Sequence, residues 1–367
     1  MLQLGKKDIA EIGTPRKNLA SKYPMLYPVA GFLILITLGT ILLLMPFSSK
    51  NGLSFANALF MATSASCVNG LAAISVGNEL TDIGHGILMV LMQTGGIGVM
   101  VLSTIIMLLI HSKMNFGQQS ALMDSYSVTA EGSSSTGYVV KRIIMVTIAV
   151  EICGAIMLFT QFDDLPLKQR IFISAFHAIS AFCNAGFSVL DNSMQNFSTN
   201  PVINAAMIFL IICGGFGFLS LTELVSFRKR KIPGKYLTLH TRLVLLMTLL
   251  LIFAGTSFVL IMEWNGALSN YSFPEKIMVS VFQSVTVRSA GFSTVNFASL
   301  GVPLLFIMIL FMFIGANPGS CGGGIKTTTA AIIILLGLNR FLGRKKIQFF
   351  NRSIPEETVE RAMRIFV

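Results

Sequence analysis

The chain has 367 residues, 53% of them hydrophobic and only 12% charged, with a mean hydropathy of +0.75, whereas an ordinary soluble domain is about 25% charged. That composition excludes a soluble globular fold and belongs in a bilayer. The net charge of +11 would suit nucleic acid, but 21 of the 27 Lys and Arg residues lie in four segments that flank apolar runs (1–25, 111–142, 228–242 and 339–367). Membrane topology accounts for them there, so nucleic acid is not read as a partner.

Residues 1–25 are polar and carry five basic residues, without the short apolar core of a cleavable leader. Six apolar runs follow, at 26–46, 84–110, 141–160, 201–226, 242–262 and 302–338. Each reaches the length of about 20 residues that crosses the hydrocarbon, and each is read as one span. Three connections are too apolar for surface loops: SFANALFMATSASCVNGL (54–71), KQRIFISAFHAISAFCNAGF (168–187) and EKIMVSVFQSVTVRSAGF (275–292). They share a helix-length stretch with the series Phe60, Ala62, Ser64; Phe176, Ala178, Ser180; and Phe282, Ser284, Thr286. Each then closes on a glycine, Gly70, Gly186 or Gly291, spaced 116 and 105 residues apart. Glycine clusters recur in the following spans, at QTGGIGVM (93–100), CGGFGFL (213–219) and IGANPGSCGGGIK (314–326). This is an internal repeat.

The fold class is therefore an all-α polytopic membrane protein, built from repeated units of span, pore half-helix, filter loop and span around one pore. A cytoplasmic N-terminal segment (1–25) precedes pore unit 1 (26–112), pore unit 2 (140–228), pore unit 3 (241–340) and a cytoplasmic tail (341–367). The basic connections place both ends on the cytoplasmic side of the cell membrane, with lipid as the surrounding partner.

Irregular backbone at membrane depth survives only where protein or water satisfies its polar groups, so three such loops imply a shared wet cavity. Carbonyls converging there replace a cation's hydration shell. Glycine reaches the dihedrals that aim them, and the C-terminal end of each half-helix adds partial negative charge. The span at 302–338 is too long for one straight crossing. Asn317, Pro318, Gly319 and Gly322 to Gly324 break it near 315–325, because helix interiors disfavour Gly by about 1 and Pro by about 3 kcal/mol.

With these loops and the segment PGSCGGGIKTTT, residues 25–365 resemble the Ktr/Trk/HKT potassium transporter family, most closely its KtrB-type membrane subunits. The resemblance implies potassium uptake through a carbonyl-lined selectivity filter. Its potassium-binding residues are Val68, Asn69 and Gly70; Asn184, Ala185 and Gly186; and Ser289, Ala290 and Gly291. It implies an intramembrane gate loop of Gly315, Ala316, Asn317, Pro318, Gly319, Ser320, Gly322, Gly323, Gly324 and Lys326. Gly70 at the first loop favours K+ over Na+ in related proteins. No bound cofactor is implied: K+ is the transported ion and Na+ a candidate coupling ion. The implied partners are a second copy, as a homodimer, and a cytoplasmic nucleotide-binding regulatory ring of the KtrA type.

Arg288, two residues before Ala290, is read as filter support, with Glu263, Glu275 and Asp191 as candidate partners; a snorkelling arginine is the alternative. Glu151 and Glu223 are read as pairing or reaching an interface, and His177 as bonding nearby backbone. The five cysteines (Cys67, Cys153, Cys183, Cys213, Cys321) read as small buried residues. GSCGGGIKT is not a P-loop, because Ile325 separates Gly324 from Lys326 and no strand precedes it. No nucleophile triad or metal cluster is seen, so the chain is not read as an enzyme. The family pattern has four units, and a fourth glycine is expected near 396–407, beyond Val367. Two functions therefore stay open: potassium translocation, or a shortened or assembly-only membrane component that does not conduct alone.

Overall fold

A computed structural model of the chain describes residues 26–111, 136–227 and 237–343, with short stretches between 348 and 364. The first unit consists of α1 (Leu26–Leu44), α2 (Phe55–Ser66) and α3 (Asp82–His111). The second has α4 (Thr136–Phe159), α5 (Leu167–Phe182), α6 (Pro201–Gly215) and α7 (Phe218–Phe227). The third has α8 (Leu239–Glu263), α9 (Phe273–Thr286), α10 (Val302–Phe313) and α11 (Thr327–Phe341). In the tail, β1 (Gln348–Phe349) pairs antiparallel with β2 (Arg352–Ser353).

Among the described residues, the segments Asp82–Val101, Val140–Phe159 and Leu239–Glu263 are each long and apolar enough to cross a membrane. The run at 201–226, read as one span, is broken: Pro201–Gly215 and Phe218–Val225 meet at 111°. α10 and α11 are separate shorter apolar helices, with residues 314–326 between them.

Local chemistry starts the helices where they are needed. Ser54 accepts from the amide of Asn57 at the head of α2. Asn200 accepts from Val202 and Ile203 at the head of α6, with Pro201 following where no amide is required. Ser272 and Glu275 form a capping box on α9. The hydroxyl and amide of Ser272 hold the Glu275 carboxyl below its ordinary range.

Within each unit the half-helix packs on the first span: α2 on α1, α5 on α4, and α9 on α8. Between units, α3 packs against α5 and α6 against α9, so the second span of the first and of the second unit leans on the next unit's half-helix. The core at these junctions holds Phe176, Phe182, Phe187, Phe282 and Phe292, all essentially inaccessible. The outer faces are apolar too: Phe253 and Ile261 on α8 are 76% and 77% exposed, as expected where lipid replaces water. Not all the cysteines are buried, since Cys67 and Cys153 are exposed.

Candidate functional site

Each half-helix ends by handing its last carbonyls to the loop that follows. The carbonyl of Ser64 accepts from the amide of Asn69 at 2.8 Å, that of Ser180 from Ala185 at 2.8 Å, and that of Thr286 from Ala290 at 2.9 Å. These are the third members of the repeated Phe, Ala or Ser, Ser or Thr series. The loop begins at the negative end of the helix dipole in all three units.

The three loops share a backbone pattern that side-chain chemistry alone would not produce. Val68, Asn184 and Ser289 have φ of 55°, 57° and 73°, and Gly70, Gly186 and Gly291 have φ of 79°, 72° and 80°. The residue between each pair keeps an ordinary φ. A left-handed residue at every second position turns successive carbonyls to one side of the chain instead of alternating them. Such conformations cost a non-glycine residue on the order of 1–3 kcal/mol, and they persist where surrounding structure enforces them.

The loops also meet. A Cβ at Gly70 would overlap the carbonyl oxygen of Ala185 and stand 3.3 Å from the Cα of Gly186. A Cβ at Gly186 would stand 2.7 Å from the oxygen of Ala290 and 3.1 Å from the Cα of Gly291. The expected residues therefore come together, Val68–Gly70 beside Asn184–Gly186 and these beside Ser289–Gly291. Two hydroxyls fasten the exits of the second and third loops. Ser180 Oγ donates to the carbonyl of Phe187, and Thr286 Oγ1 to that of Phe292, each at 2.7 Å.

Residues 314–326 lie against this cluster. A Cβ at Gly322 would be 3.5 Å from the Cβ of Ser289, and one at Gly215 would be 3.7 Å from Asn184 Nδ2 and 3.8 Å from the Cβ of Ala316. The loop closes on itself, with Gly315 N donating to Ile325 O at 3.1 Å and Ala316 N to Gly323 O at 3.0 Å. Lys326 Nζ turns back to the carbonyl of Gly322 at 2.7 Å. Asn317 and Ser320 are buried, the serine hydroxyl donating to the asparagine carbonyl.

The bend between α6 and α7 holds this loop. Ending α6 at Gly215 frees carbonyls that a continuous helix would use itself. Gly214 O accepts from the amide of Cys321 at 3.2 Å; Gly215 O accepts from Asn317 N at 3.1 Å and Nδ2 at 3.0 Å. Phe218 N donates to Gly319 O at 2.9 Å. Thr327, at the start of α11, donates to Asn317 Oδ1. Sequence reading missed this anchor. The cluster CGGFGFL marked the place, but glycine in a membrane helix equally signals close packing.

Arg288 is buried, and its Nε has no hydrogen-bond partner. The three carboxylates suggested for it are engaged elsewhere. Glu263 accepts from Ala267 and Gly301, Glu275 from Ser272, and Asp191 from Asn78 across the first and second outer loops. His177 lies between the carbonyl of Ile173 and the hydroxyl of Ser188, both at 2.9 Å; the carbonyl only accepts, so Nδ1 carries the proton. Glu223 accepts from the amide and hydroxyl of Thr238 and the hydroxyl of Thr241, joining α7 to the head of α8.

Fold and site together define a multi-pass helical membrane protein whose repeated loops bring backbone carbonyls to one place. Residues 11–367 match the family model TrkH, cation transport protein, and the chain belongs to that family. It is 33% identical over 355 residues to the potassium/sodium uptake protein NtpJ of Enterococcus hirae, covering 96% of this chain and 77% of that one. Identity to the Ktr system potassium uptake protein B of Bacillus subtilis is also 33%, over 92% of this chain and 75% of that protein. For the protein of the same name from Vibrio alginolyticus it is 32%, over 99% and 77%. The crystal structure of the potassium transporter TrkH from Vibrio parahaemolyticus superposes with a TM-score of 0.75 at 21% identity, covering 96% of this chain and 70% of that one.

Proposed function

We propose that this chain takes up potassium across the cell membrane. In this reading Val68–Gly70, Asn184–Gly186 and Ser289–Gly291 supply filter carbonyls, and residues 314–326 act as the gate. The observation that carries the reading is the thrice-repeated pair of left-handed residues flanking one ordinary residue, in loops that lie side by side. Carbonyls turned to one side at the negative ends of three helices substitute for the water a cation sheds, with no carboxylate required. The names of the relatives, potassium uptake and potassium/sodium uptake proteins, support the same ion. They also support Na+ as the ion to test for coupling.

For the loop at 314–326, support comes from its contacts with Ser289 and with Gly215 beside Asn184, which set it next to the filter segments. It is held there by hydrogen bonds to broken-helix ends, and these are the bonds that movement of the loop would exchange. The alternation of basic segments supports a cytoplasmic location for both ends of the chain. Relatives named as parts of a Ktr system support work with a further component, for which we propose a KtrA-type nucleotide-binding ring together with a second copy of this chain. Arg288 is proposed as filter support through its position, not through a carboxylate.

The test is growth on limiting potassium of cells lacking their own uptake systems and expressing this chain. Rescue, abolished by Gly186→Asp with the protein still in the membrane, is the expected result. Absence of potassium-dependent rescue, or rescue that ignores the filter substitution, overturns the reading.

A further inference from the structure

Glu151 stands in the middle of α4 with 7% of its surface exposed, a carboxylate inside a membrane span. Such residues are costly and usually functional. Its Oε2 accepts from Gln93 Nε2 on α3 at 3.0 Å, and its Oε1 has no hydrogen-bond partner. Gln93 Oε1 faces Cys183, whose Sγ lies 3.8 Å away in donor geometry. Cys183 caps the C-terminus of α5 and immediately precedes Asn184. On α3, Gly96 lies one turn beyond Gln93, and a Cβ there would stand 2.7 Å from Cys183 Sγ. The sulfur thus fits between an amide oxygen and a missing side chain.

An amide has a donor end and an acceptor end, and a neighbouring thiol alone would tolerate either. The carbonyl oxygen of a carboxyl group only accepts. It draws the amide nitrogen of Gln93 to itself and leaves the oxygen for the thiol. We propose that Glu151 is a positioning residue for the second filter segment: by orienting Gln93 it sets Cys183, and through it the backbone of Asn184–Gly186, and so the discrimination between K+ and Na+. This inference rests on reading Asn184–Gly186 as filter.

The experiment compares K+ and Na+ uptake by cells expressing the chain, and thermal protection of the purified protein by each ion, for wild type, Glu151→Leu, and Glu151→Gln combined with Gln93→Glu. Glu151→Leu is expected to lower the K+ to Na+ preference by about fivefold, the size of one net hydrogen bond. The exchanged pair keeps one carboxylate and one amide in contact and is expected to restore the preference. Should Glu151→Leu fail to accumulate in the membrane, Gln93→Met removes both bonds at similar length and carries the same expectation. A selective wild type whose variants keep its preference overturns this inference alone, as does an exchanged pair that fails to recover. A wild type neither transporting nor protected by K+ overturns the filter reading and this inference with it.

Discussion

Thr286 Oγ1 donates to the carbonyl of Phe292, which lies six residues further along the chain and on the far side of the loop Ser289–Gly291, at 2.7 Å. Ser180 does the same for Phe187 in the second unit, and both phenylalanines are buried. Each hydroxyl reaches across its left-handed turn and fixes where the loop leaves. Ser180→Ala and Thr286→Val leave a buried carbonyl unpaired, at an expected cost of about 1–3 kcal/mol. Melting of the purified protein and competition between K+ and Na+ uptake check this; Thr286→Ser keeps the bond and is expected to behave as wild type.

Gly70 combines a φ of +79° with no room for a Cβ, which would overlap the oxygen of Ala185. Gly70→Ser therefore displaces the first loop from the second rather than merely adding a hydroxyl. The expected outcome is a fall in K+ uptake relative to Na+ uptake, measured with the two ions in competition. An unchanged ratio would mean that the Ala185 carbonyl does not face the ion path.

Gly214 and Gly337 separate close approach from ordinary helix propensity. A Cβ at Gly214 would overlap the carbonyl oxygen of Phe182, whereas one at Gly337 on α11 meets nothing within 4 Å. Gly214→Ala is expected to destabilise the protein by about 1–3 kcal/mol through forced displacement. Gly337→Ala is expected to be neutral or to stabilise by up to about 1 kcal/mol. Thermal melting in detergent distinguishes the two.

Asn317 ties the loop at 314–326 to both neighbours, donating to Gly215 O and accepting from Thr327. Asn317→Ala removes these two side-chain bonds while leaving the backbone bond of its amide to Gly215 O and the loop's own backbone bonds in place. If the loop obstructs the path, K+ flux in the resting protein rises; isotope flux from vesicles measures it. A resting flux equal to wild type would assign the loop a packing role instead.

Glu223 joins α7 to the head of α8 through three donors from Thr238 and Thr241. Glu223→Ala removes the acceptor of the buried Thr241 hydroxyl and of the half-buried Thr238 amide and hydroxyl, and a loss of about 1–3 kcal/mol in stability is expected. Thr241→Val removes one donor and should cost less in the same melting experiment.

How much of this was legible beforehand differs from residue to residue. The repeat was, because Phe176, Ala178 and Ser180 recur in kind at fixed spacing in the other units and a glycine closes each series. The three loops that meet were reachable through those glycines. The bend at Gly215–Gly217 was not, because CGGFGFL is as compatible with tight packing as with a break, and what decides is whether another segment takes up the freed carbonyls. The carboxylates offered to Arg288 were misjudged for a similar reason. Topology puts Glu263, Glu275 and Asp191 on one side of the membrane, but each is taken by an amide or hydroxyl close to it in space.

By itself the sequence determined that this protein lives in a bilayer, that it repeats a span, half-helix, loop and span three times, and that glycine closes each loop, since hydropathy, charge placement and glycine spacing are properties of the chain read locally. Tertiary structure alone decided that the three loops share one left-handed pattern and touch, that the bend in α6–α7 carries the loop of the next unit, and that Glu151 and Cys183 meet the two ends of one amide, Gln93. These are hydrogen bonds and close approaches between residues tens to more than a hundred positions apart, and their geometry exists only once the helices have packed.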